Sequence, residues 1–181
     1  MRKFLGMSLG LALSVVMSAG AYAQKNPRGL TKVTLNGKTI SIEYGRPGLH
    51  GKTIGQELAR LPVGQYWRLG ADKSTTFTTA ADLRFGNVTV PKGIYSLFAR
   101  KEAGNKWSLA FNKQHGQWGI KPNAMANLNP KLNIASVPLG ERTIATSAQL
   151  VTITLANAGG NEGKLTVHWG DMELTTRFTA E

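Results

Sequence analysis

The sequence predicts an all-β, mainly antiparallel fold, a β-sandwich or jelly-roll-like domain with one short helix; a closed β-barrel is the alternative. Three observations predict it. Apolar and polar residues alternate with a period of two in several separate segments, as in Ile40, Ile42 and Tyr44 against Thr39, Ser41 and Glu43. Such alternation marks a strand with one buried and one wet face, the habit of antiparallel sheet. Turn dipeptides such as Asn36-Gly37 and Gly86-Asn87 stand between the apolar segments. Roughly ten short strands punctuated in this way suit a sandwich better than a parallel α/β fold.

The elements follow in chain order. Arg2 and Lys3 precede an uncharged apolar run from Phe4 to Met17, and Ala21-Tyr22-Ala23 supplies small residues at the two positions a signal peptidase reads. This is the pattern of a secretory signal over residues 1–23, cleaved after Ala23, and the run is too short for a spanning helix. Residues 24–181 then form a single β domain. Lys32–Leu35 and Lys38–Tyr44 flank Asn36-Gly37, whose tolerance of positive φ predicts a hairpin. Thr53 and Gln56 are spaced as a capping box, with Leu58 and Leu61 on one face of the short helix and Pro62 limiting it. A second hairpin joins Leu83–Phe85 to Val88–Val90 through Gly86-Asn87. Pro91-Lys92-Gly93 makes a turn before the strand Ile94–Ala99. Trp107, Leu109 and Phe111 alternate in the next strand. His115–Pro130 reads as one long irregular loop with a helical turn over Ala124–Leu128, and loops of that length are often functional or mobile. Val151–Leu155 and Leu165–Trp169 alternate again, and Gly170-Asp171 is either a tight turn or a bulge before Met172–Phe178.

Composition narrows the setting. Cysteine is absent, so there is no disulfide framework, thiolate metal site or lipid-modified cysteine. The expected location is the periplasm or the exterior, with no stable membrane insertion after cleavage. The net charge is +12, and beyond the leader the basic excess lies in residues 25–113, while 114–181 are balanced. Such a charge attracts anions or simply keeps the surface solvated. No nucleic-acid motif accompanies it, and none is expected as a partner. No nucleophile elbow or phosphate-binding glycine loop is present, and His50, His115 and His168 lack metal-ligand spacing. Neither a metal nor a cofactor is expected, and catalysis is unsupported.

Three polar clusters carry what chemistry there is. Glu43, Tyr44 and Arg46 end the first hairpin, where an Arg fork would suit a carboxylate or phosphate, or would pair with Glu43 as a loop staple. Trp67 and Arg68 offer an aromatic platform beside a cation, or a core Trp with a snorkelling Arg. Asn112, Lys113, Gln117 and Trp118 open the long loop as ligand contacts or as a solvent-facing turn.

Several segments occur together in one order: Ile40–Pro47, Gly51–Ile54, Trp67–Ala71 with Thr75–Thr79, Val90–Phe98, Asn112–Gln114 with Gly116–Gly119, and Leu165–Asp171. In that order they closely resemble the bacterial exported family catalogued as domain of unknown function 2911, over about residues 25–179. The resemblance implies one domain and an envelope location, and it implies no activity. Its motif positions coincide with the three clusters. Leu49-His50 and Gln114-His115 depart from the pattern by carrying His where other polar residues are usual.

The leading expectation is a periplasmic binding module for an anionic or saccharide-like envelope ligand, lined by Arg46, Trp67, Arg68, Lys113 and Trp118. One alternative is an envelope hydrolase using Glu43 or Asp171. Another is a structural protein whose sheet face docks a protein partner.

Overall fold

In the computed structural model, which describes residues 26–181, the first hairpin pairs β1 (Arg28–Leu35) with β2 (Lys38–Gly45). The expected leader and its cleavage point lie outside the described residues. Asn36 and Gly37 both take positive φ (47° and 71°), as the two-residue turn requires. The capping box forms: Gln56 N donates to Thr53 Oγ1 and Thr53 N donates to Gln56 Oε1, starting α1 (Ile54–Leu58). β3 (Tyr66–Trp67) and β4 (Thr76–Thr79) follow. β5 (Leu83–Phe85) and β6 (Val88–Val90) make the second hairpin, with positive φ at Gly86 alone. β7 (Gly93–Glu102) and β8 (Lys106–Asn112) form a third. The long strands β9 (Asn133–Gly159) and β10 (Glu162–Ala180) complete the chain. No helix among the described residues is long and apolar enough to cross a membrane.

The pairing is antiparallel throughout, in the order β1-β2-β4-β7-β8-β9-β10-β5-β6, with β3 set against β7. β9 pairs with β8 over Asn133–Leu139 and with β10 beyond, so it passes from one layer to the other. Phe77 and Tyr95 of the first layer meet Phe111, which packs on Phe85 of the second at 5.3 Å, and Phe85 packs on Phe178 at the same distance. The alternating residues noted in the sequence all face this core: Ile40, Ile42, Leu109, Phe111, Val151 and Val167 are buried. Gly170-Asp171 proves to be a bulge within a continuous β10, with Gly170 at φ 59° and register shifts on both sides.

The sandwich stays open, and the seam where a barrel would close is instructive. One edge of β9, from Gln149 to Leu155, faces the first hairpin without a strand ladder. Its backbone groups are met instead by pieces of that hairpin. Leu49 N donates to Gln149 O, and Val151 N donates to Pro47 O. Arg46 Nε donates to Val151 O at 3.1 Å, and its Nη2 reaches Thr152 Oγ1. Tyr44 Oη donates to Ile153 O and accepts from Ile153 N at 2.8 Å. Leu155 N donates to Thr31 Oγ1. An exposed edge of unpaired donors and acceptors invites aggregation, and here it is capped residue by residue.

Across β9 and β10, Arg142 Nε donates to Glu173 Oε1 at 2.7 Å, with the Glu173 side chain only 11% exposed. That hydrogen bond holds the Glu173 carboxyl below its ordinary value against the opposing effect of burial, helped by the charges of Arg142, Lys164 and His168. Glu102 is lowered likewise, first by Ser108 and then by Arg100. A carboxylate lowered by folding stabilises the fold above its unfolded value near 4.5, and that contribution fades as pH falls through the folded value. Thermal midpoints measured against pH should therefore fall below about pH 4.5. Glu173→Gln should flatten that acid limb, and an unchanged slope would refute the role assigned to the pair.

Candidate functional site

A cavity of about 320 Å³ opens where α1, β3, the end of the first hairpin, the long loop and β10 come together. Its wall is built from short-range constraints. β3 is only two residues long, held by Tyr66 opposite Arg100 and Trp67 opposite Ala99. The chain then leaves the sheet abruptly, with Leu69 and Asp72 at positive φ (52° and 62°) and the Leu69 carbonyl accepting from Thr75 Oγ1. Gly45 lets this segment cross the hairpin end. A Cβ there would lie 2.7 Å from the Ala71 carbonyl carbon.

The long loop is strapped down over this segment. Ser74 N donates to Gln117 O, and Gly119 N donates to Asp72 O at 2.8 Å. Gln117 Nε2 donates to Asn127 O, and Asn127 Nδ2 donates to Trp118 O. The helical turn expected over Ala124–Leu128 does not form. Ile120 bridges Ala126 instead, with Ala124 at φ 62°. The amide side chains Gln117 and Asn127 bond to backbone and so favour a closed loop over a helix.

The cavity is cationic and largely apolar. Arg68 lies in its wall, half-buried, with its stem against Gly119, whose Cβ would stand 3.0 Å from Arg68 Cδ. The Arg68 guanidinium makes no hydrogen bond among the described residues. Burial lowers its pKa, and the charge of nearby Asp72 offsets part of that effect. Arg60, exposed at the rim, has no ion pair among the described residues. Glu57 at the same rim is bound by Lys52 Nζ at 3.0 Å. Leu58, Leu61, Ile120, Ala124 and Ala126 supply apolar surface. Trp169, 3% exposed, also lines the cavity, and its indole N–H is sealed from solvent with no hydrogen-bond partner among the described residues.

Of the residues singled out in the sequence, Trp67 and Arg68 line this cavity. Trp67 stacks on Trp169 at 5.5 Å and 13° and meets Trp107 edge-on, so it belongs to the core and offers no open platform. Tyr44 and Arg46 cap the edge of β9. Glu43 is bound by Arg28 at 2.9 Å rather than by Arg46, so the staple has a different cation. Asn112 is fully buried and ties Asn129 O, Asn133 Oδ1 and Gln114 N together. Lys113 is exposed. Gln117 holds the loop, and Trp118 lines a separate surface depression with Lys121 and Pro122. Asp171 lies in a second cavity of about 270 Å³ with Glu141 and Lys101, away from Glu43. Sequence reasoning placed Trp169 correctly as a buried strand residue, but it had no signal for the unpartnered N–H. Arg60, just past the helix, carried no motif.

The chain from residue 26 to residue 178 matches the family described as "Protein of unknown function (DUF2911)". No curated protein and no solved structure matches it.

Proposed function

Since this chain belongs to the DUF2911 family, whose description assigns no function, its activity has to be read from its site; we propose that it is an exported binding module that takes a small anionic ligand, a carboxylate or a phosphate, into the Arg68 cavity. Export rests on the leader over residues 1–23, and the ligand would then be one met in the cell envelope or outside the cell. The observation that carries the reading is Arg68: a half-buried guanidinium near Asp72 that makes no hydrogen bond among the described residues, in the wall of a cavity of ligand size. A fork of donors partly withdrawn from water is well satisfied by a carboxylate or phosphate. Arg60 adds a second cation, and Glu57 is neutralised by Lys52. The basic excess of the chain would draw anions toward this part of the surface.

The walls favour an anion with a compact body over a neutral sugar. Sugar recognition by stacking needs an open aromatic face, and Trp67 has given its face to Trp169. A thermal-shift panel tests the reading. Acetate, inorganic phosphate, glucuronate and neutral glucose are compared at equal ionic strength. Saturation at a hundredfold the Kd adds about 2.7 kcal/mol, on the order of 5–10 °C for a domain of this size. At least one anion should produce such a rise and glucose should not. A rise with glucose and none with any anion would overturn the proposal.

A further inference from the structure

A neighbouring cavity of about 260 Å³ shares a wall with the Arg68 cavity. The two have Arg60, Leu61, Tyr66, Ala124 and Ala126 in common, so both lie against the same two chain segments, residues 60–66 and 124–126. The neighbour adds Pro62, Gln65 and Met125. Met125 is 48% exposed, a large apolar side chain left in water at the outer end of this surface. Backbone bonds fix both walls. Gly64 N donates to Lys101 O at 2.7 Å, and Gln65 N donates to Pro62 O. Opposite them, Lys121 N donates to Met125 O at 2.8 Å and Ala124 N donates to Lys121 O, closing the turn that presents Met125. The charge is of one sign. Residues 60–71 and 103–140 contain no Asp or Glu. Glu57, at the rim of the first cavity, is bound by Lys52.

We infer that the ligand is an aliphatic carboxylate, a free fatty acid of short to medium chain, with its carboxylate at the Arg68 fork and its chain over Leu61 and Ala126 toward Met125. The inference rests on the anion-binding reading and adds the body of the ligand. Small-molecule sites combine mostly apolar walls with a few polar groups that fix orientation, and these walls are apolar with a single half-buried cation. One guanidinium balances one negative charge, which suits a carboxylate better than a phosphate monoester, whose charge approaches two. An aliphatic chain covers Met125 and the apolar wall, and both surfaces leave water together. A hydrophilic acid such as glucuronate meets the same fork but leaves the neighbouring cavity in water. Arg68 thus holds the charge, and Met125 selects for chain length.

Calorimetric titration of the protein with acetate, butyrate, hexanoate and octanoate tests this, with octanol as the uncharged control. Each methylene that is fully buried should tighten binding by about fourfold. Octanoate should therefore bind at least about a hundredfold tighter than acetate, and at least about tenfold tighter than octanol. Met125→Ser changes an exposed turn residue and should cost octanoate about fivefold more than it costs butyrate. Affinity that does not rise with chain length, or a rise that Met125→Ser leaves untouched, would overturn the inference while the anion site stands. If octanol binds as tightly as octanoate, or no carboxylate binds, both fall.

Discussion

Tyr44→Phe is expected to destabilise the protein by about 3 kcal/mol, on the order of 10 °C in Tm, although it removes a single oxygen atom. That oxygen serves both backbone groups of Ile153, accepting from the N–H at 2.8 Å and donating to the carbonyl at 3.1 Å. Ile153 is buried, and the edge of β9 on which its backbone groups lie forms no strand ladder with the first hairpin. Phenylalanine fills the same space and keeps the apolar contacts. It leaves a donor and an acceptor stranded, each costing about 1–3 kcal/mol. Urea unfolding measures the loss. A midpoint shift worth less than about 0.5 kcal/mol, the range of ordinary surface changes, would show that Tyr44 does not satisfy the edge of β9.

Arg68→Met should have the opposite sign for stability and the largest effect on binding. Burial lowers the Arg68 pKa, so the fold works against the charge that it holds. Methionine keeps the unbranched stem that packs over Gly119 and discards the guanidinium. An apolar side chain of similar length removes the cost of holding a cation partly out of water. The variant should therefore melt at or above the wild-type temperature by scanning calorimetry. A marked fall would mean that the guanidinium is a structural tie to Asp72 rather than a ligand contact.

Much of the fold was legible because it rests on local rules. Period-two alternation placed Ile40–Tyr44, Trp107–Phe111 and Leu165–Trp169 with their buried faces inward. The Asn36-Gly37 turn and the Thr53–Gln56 capping box depend on residues four apart or fewer, and both formed. Features that depend on distant partners were less legible. β9 reads as a short strand at Val151–Leu155, yet it runs from Asn133 to Gly159, because pairing with β8 and then β10 extends it. Nothing local tells Arg46 to reach Val151, 105 residues away, so a fork that suits a ligand looked the same as a fork that caps a strand edge. The site shows the same division. Trp67-Arg68 stood out as an aromatic beside a cation, and Arg68 does line the cavity. Trp169 and Arg60 reach it only through tertiary packing. Asn112, the buried last residue of β8, and Gln117, in the loop, both tie the loop down through its backbone.

The most direct test is a paired calorimetric titration of wild type and Arg68→Met with glucuronate. Saturable one-to-one binding to wild type is predicted, reduced by on the order of a hundredfold in the variant, as befits a charge-assisted contact in a buried setting. Equal affinities in the two proteins, or no heat in either at millimolar ligand, would contradict an anion site at Arg68.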